Sequence, residues 1–147
     1  MVSCNGLPGA TVWLKKIDFE SDPNANGGTP FVCHVVIANS QDLCGKLRGM
    51  NSKVYFSKLT SLEKSYRDSL EIIKYDIIPG KNKLDQKITP KSYLKARGAF
   101  LFVKYLNPGD FTEEIGAFRN VVIRFLPHGI EVHPDLNLDE LTSKLNL

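Results

Sequence analysis

The sequence predicts an α+β fold: an antiparallel sheet in the ferredoxin-like β-α-β-β-α-β order over residues 53–126, with N-terminal strands before it and a C-terminal helix after it. Three observations carry this expectation. Strand-like and helix-like periodicities alternate in that order across residues 53–126. Residues 97–105 (RGAFLFVKY) alternate at period two, with Leu101, Val103 and Tyr105 on one face and Phe100, Phe102 and Lys104 on the other. A length of 147 residues, 42% apolar and 24% charged, suits one domain with its own core. The same strands also fit an OB-like or other small barrel, or a sandwich, should the N-terminal strands cover the aromatic face.

Taken in order, residues 1–52 form an N-terminal β extension. A strand over 11–19 places Val12 and Leu14 on one face, and Lys15-Lys16 interrupts the alternation as a bulge does. Residues 21–30 (SDPNANGGTP) are turn composition, sharpest at Asn26-Gly27. Residues 31–38 (FVCHVVIA) are apolar on both faces, as in a central strand, and His34 there reads as a hydrogen-bonded structural residue. A short helix follows over 41–47.

In the core segment, residues 54–59 read as a short strand. Thr60-Ser61-Leu62-Glu63 reads as a capping box opening a helix with Leu62, Tyr66 and Leu70 on one stripe. Residues 71–78 are strand-like, and Pro79-Gly80 ends them. Residues 79–96 are basic and irregular, as in a long loop. After the strand at 98–106, Phe111, Ile115 and Phe118 are spaced as on a helix, and residues 120–126 (NVVIRFL) turn Val121, Ile123 and Phe125 inward. A C-terminal segment, 127–147, adds a short strand at 129–133 and a helix carrying Leu138, Leu141 and Leu145.

The net charge of +3 is unevenly spread. Residues 74–104 hold 8 Lys/Arg against 2 Asp/Glu, whereas residues 105–147 hold 3 against 7. A basic stretch beside aromatics is the footprint of nucleic-acid binding, with rings stacking on bases and cations meeting phosphates. The cations are Lys53, Lys58, Lys91, Lys95, Arg97 and Lys104. No stretch of eighteen apolar residues is present, so no membrane span is expected. Three cysteines without a CxxC spacing, and no signal-peptide pattern at residues 1–6, predict reduced thiols in an intracellular protein.

Val54-Tyr55-Phe56-Ser57-Lys58-Leu59 is an aliphatic-aromatic-hydrophobic run ending in leucine, and Arg97-Gly98 is followed by Phe100-Leu101-Phe102-Val103-Lys104-Tyr105. In these two stretches the chain resembles the RNA recognition motif family, the first run as its RNP2 strand and the second as its RNP1 strand. The resemblance implies that Tyr55, Phe100 and Phe102 stack on bases and that Arg97 contacts phosphate. It covers about half the chain and leaves residues 1–52 outside. Ala99 is an extra residue after the glycine, and Leu101 stands where Gly or Ala is usual.

The function expected is binding of single-stranded nucleic acid, RNA rather than DNA, with no cofactor. The alternative is a non-enzymatic protein-interaction or self-assembling structural protein of viral matrix-like type, the acidic C-terminal third facing the basic middle of another copy. No P-loop, GxGxxG, HExxH or GxSxG motif is present, so no enzymatic activity is expected. Of the metal-capable residues His128, Glu131 and His133, only the last two share a strand face, so no metal site is expected.

Overall fold

A computed structural model describes residues 12–89, 96–107 and 111–135. Lys91, Lys95 and the helix expected around Leu138–Leu145 lie outside the described residues. The described residues build eight strands and three short α-helices: β1 Lys16–Ser21, β2 Phe31–Ala38, α1 Gln41–Arg48, α2 Ser52–Ser57, α3 Leu59–Ser65, β3 Leu70–Ile77, β4 Lys83–Lys87, β5 Gly98–Lys104, β6 Thr112–Glu114, β7 Asn120–Leu126 and β8 Gly129–Pro134.

The strands form two four-stranded sheets, ordered β4-β1-β7-β8 and β3-β2-β5-β6. Period-two alternation decides how they stack. Ile17 and Phe19 of β1 and Val121, Ile123 and Phe125 of β7 meet Cys33, Val35 and Ile37 of β2 and Ala99, Leu101 and Val103 of β5 in one buried core. The opposite faces of β2 and β5, carrying Val36, Phe100 and Phe102, form a second core with Leu43, Leu47, Tyr55 and Leu62 of the helices. The architecture is therefore three layers: sheet, sheet, helices. The α+β class stands, and the sandwich takes the place of the ferredoxin-like order.

Three local differences produce that outcome. Residues 54–59 are helical, because Ser52, Tyr55, Leu59, Leu62 and Tyr66 recur at the 3.6-residue period and turn inward, whereas Val54 and Phe56 only mimic alternation. Asn51 fixes the start of α2, its Oδ1 accepting from the Val54 amide at 2.8 Å. Thr60 lies inside α3 and caps nothing; the N-cap position is Lys58, which makes no side-chain cap bond.

Residues 112–114 are a strand, β6, pairing with β5 from Phe102↔Thr112 to Phe100↔Glu114. Gly116 supports this, since a Cβ there would lie 3.0 Å from the Ala99 amide nitrogen. Within the expected loop 79–96, residues of β4 pair antiparallel with β1. The register shift on β1 lies between Ile17 and Phe19, past the double lysine.

Other expectations hold. β2 is central, flanked by β3 and β5. Asn26 and Gly27 both take positive φ (52° and 62°), as the Asn-Gly signal requires. The helix at 41–48 forms with Ser40 as its N-cap, the hydroxyl accepting from the Leu43 amide. β7 turns Val121, Ile123 and Phe125 into the core.

Candidate functional site

The aromatic face of β5 is where the site was expected, and it is closed. Phe100 and Phe102 are 1% and 0% exposed, and Tyr55 is 0% exposed. The Tyr55 ring comes from α2 and lies flat on Phe102, with centroids 4.0 Å apart and planes 6° apart. Its hydroxyl reaches Nδ1 of His34 on β2 at 2.9 Å. Three neighbouring aromatics were correctly grouped, but they stack on one another and leave no ring face for a base.

His34 is structural, as its setting in β2 suggested. Burial, followed by the nearby charges of Lys74 and Lys104, pushes its imidazole down to about 4, so it is neutral at pH 7. Burial likewise holds the Tyr55 hydroxyl well above the usual tyrosine range, with Glu63 adding to the shift. The pair is a neutral hydrogen bond inside a packed layer.

The cations separate. Lys53, Lys58 and Lys104 are exposed. Lys53 and Lys104 come together at the rim of a groove of about 460 Å³ between α2 and the end of β5, floored by Phe56, Val103, Tyr105 and Phe111. Lys104 Nζ also sits 5.5 Å above the Phe56 ring. Leu106 lines the same groove and is 72% exposed.

Lys58 lines a different groove, of about 520 Å³, with Lys46, Met50, Val54 and Tyr66. Arg97 is at the far end of β5, where its backbone amide donates to Ala38 O. Phe56, Leu106 and Phe111 were missed as a group. Leu106, an apolar residue directly before the Asn107 turn, was the available signal.

The helical layer is basic overall. Residues 41–67 hold six Lys/Arg against two Asp/Glu. Arg48 is engaged, its guanidinium gripping the Glu114 carboxylate through two bonds of 3.2 and 3.1 Å. The outer face of the other sheet is charged but internally matched. Lys16 Nζ lies 3.5 Å from each of Asp18, Asp85 and Asp135, and Arg124 lies within 4 Å of Glu20 and Glu131. His133 Nε2 lies 3.7 Å from Glu131 Oε1 there, and no three ligand-type side chains are grouped to hold a metal among the described residues.

Solved structures that share this architecture, a two-sheet sandwich with a helical layer, include components of type VI secretion systems. Among solved structures, the type VI secretion lipoprotein TssJ1 of Pseudomonas aeruginosa superposes with a TM-score of 0.64 at 14% identity, covering 83% of this chain and 95% of that one. Lip of Serratia marcescens, a membrane-bound component of the type VI secretion system, superposes at 0.61 with 15% identity, over 80% and 95%. A chain of a type VI membrane complex superposes at 0.63 with 9% identity, over 82% and 99%. No protein-family model and no curated protein matches the sequence.

At these identities the likeness establishes the fold. It overturns the resemblance to the RNA recognition motif, whose single open sheet face is absent here. The nucleic-acid function goes with it, since its stacking platform is core. The intracellular expectation is also corrected. The structural neighbours include a lipoprotein and a membrane-bound component, and Cys44 is disulfide-bonded, whereas only Cys33 is a free thiol among the described residues. No helix among the described residues is long and apolar enough to cross a membrane.

Proposed function

We propose that this chain is a non-enzymatic protein-interaction component of a bacterial envelope assembly, of the kind its structural neighbours belong to. The observation that carries the proposal is the match of the whole layered sandwich, over 80–83% of this chain and 95–99% of three type VI secretion components. A disulfide at Cys44 agrees with an oxidising compartment. On this reading the partner is a protein, and it docks on the basic helical layer. The groove between Lys53, Phe56, Lys104 and Leu106 offers an apolar anchor point with a cationic rim.

A photo-reactive amino acid placed at Lys53 or Leu106 in cells of the native host tests this. The expected product is one discrete protein adduct in the envelope fraction, lost on Phe56→Asp. An RNA adduct, or a cytoplasmic chain with Cys44 reduced, refutes the proposal.

A further inference from the structure

Among the described residues, four strands stand at sheet edges: β4 and β8 in one sheet, β3 and β6 in the other. An unpaired edge is a template for another strand, and native proteins blunt such edges by shortness, kinks, prolines and charge. Three of the four are blunted. β6 is three residues long. β4 is kinked at Asp85, whose φ is +55°, and β1 shifts register against it. β8 ends on Pro134 and exposes Glu131 and His133.

β3 is different. It runs eight residues without proline and pairs with β2 in unbroken register from Phe31↔Ile77 to Ala38↔Leu70. Its charged residues are Glu71, Lys74 and Asp76, of which Lys74 is its one lysine.

The residues on and just past β3 read Ile72-Ile73-Lys74-Tyr75-Asp76-Ile77-Ile78. That order is the same in both directions, with the charge inverted across Tyr75. When two such strands pair antiparallel about Tyr75, Lys74 of each copy stands opposite Asp76 of the other, Ile72 opposite Ile78, and Ile73 opposite Ile77. Opposed residues in an antiparallel pair point to the same side of the sheet. The burial pattern agrees with that division. Lys74 and Asp76 are exposed, and Ile78 is 50% exposed, on the side of Ile72. Tyr75 and Ile77 are buried on the other side, with Ile73 packed against the same core.

Moving the centre by one residue, a register slip of one side-chain repeat, sets Lys74 against Lys74, or Asp76 against Asp76. Self-pairing is thus specified in one register, and the lysine that repels a generic strand becomes an attractive contact between two copies.

We propose that β3 is a self-association edge. Two copies of this chain pair their β3 strands antiparallel about Tyr75, joining two four-stranded sheets into one eight-stranded sheet across a two-fold axis. The inference does not depend on the envelope reading, and a protein partner on the helical layer remains compatible with it.

Sedimentation equilibrium of the purified chain, from about 1 μM to about 1 mM, tests it, because one strand pair makes a small interface and a weak dimer. The mass is expected to rise from 16.4 kDa toward twice that value. K74D and D76K each turn both symmetric charge pairs from attractive to repulsive, so each alone self-associates about thirtyfold more weakly. Mixing K74D with D76K restores association, since every cross-copy pair is again Asp opposite Lys. Both side chains are exposed, so circular dichroism and melting of the single variants stay as in the parent. A mass of one chain at every concentration overturns the proposal. So does a dimer that K74D leaves intact, or a mixture that fails to recover.

Discussion

Replacing Phe102 by alanine removes the ring on which the whole helical layer rests. Phe102 is fully buried in the middle of β5, opposite His34 on β2, with Tyr55 stacked upon it and Phe100 beside it at 6.5 Å. A buried Phe→Ala change costs about 3–5 kcal/mol through lost transfer energy and the cavity left behind. The upper half of that range applies, because the Tyr55 stack contributes on the order of 1 kcal/mol beyond area burial. A domain is stable by roughly 5–15 kcal/mol in all, so the variant should be close to its folding threshold.

Urea denaturation followed by circular dichroism reads the loss as a lower midpoint at unchanged slope. Phe102→Leu, which keeps most of the volume, should lose only about 1 kcal/mol and remains measurable if the alanine variant fails to fold. A midpoint for Phe102→Ala within about 0.5 kcal/mol of the parent would refute the buried stack and return this face to solvent.

The remaining predictions concern single groups. His34 takes its proton near pH 6.5 in the unfolded chain but only near 4 when folded, so the stability it contributes is intact above pH 6.5 and is lost as pH falls toward 4. That gap corresponds to up to about 3 kcal/mol, measured as the difference in pH dependence between the parent and the double variant His34→Phe, Tyr55→Phe; parallel pH profiles would contradict it. The Cys33 thiol is buried, and burial pushes its pKa well above the usual thiol range, so Ellman's reagent should reach it only in denaturant, whereas Cys44 should react only after reductant is added. Gly116→Ala presses a Cβ to 3.0 Å from the Ala99 amide on a buried strand, and should cost about 1–3 kcal/mol in the same urea assay.

The strands with clean alternation or a fully apolar run are legible in the sequence: β2, β5 and β7 fall where their patterns put them, and Val121, Ile123 and Phe125 of β7 turn inward as expected, whereas Phe100 and Phe102 of β5, expected on an open face, are buried. The division of β5 into two faces is legible too. What covers the second face is not, because Val54-Tyr55-Phe56 supports both periods over so short a stretch. Only the longer spacing from Ser52 through Tyr66 shows the helical one.

Phe111, Ile115 and Phe118 satisfy a helical spacing, yet cross-strand pairing to β5 wins, and Gly116, whose sequence context suggests a weak helix residue, is a place where backbones come close. The candidate site fails for the same reason. Tyr55, Phe100 and Phe102 do cluster, but whether a cluster of rings is surface or core depends on the element laid over it, and that element is a helix where the short pattern suggests a strand.

The parallel pairing of β1 with β7 bears on how the chain can fold. Lys16 lies beside Asn120 and Ser21 beside Phe125, so a strand from the start of the chain waits for one near its end. Its other neighbour, β4, also arrives late. Until both are present, Ile17 and Phe19 have no sheet to complete, and the inter-sheet core cannot close on them. Loop-closure entropy is then lost before the long-range contacts offset it, which places folding in the slow, millisecond-to-second range of non-local topologies. A chain cut before β7 would hold an apolar first strand with nowhere to dock, a species suited to capture by chaperones or to clumping, and one that folds only once the last strands have arrived.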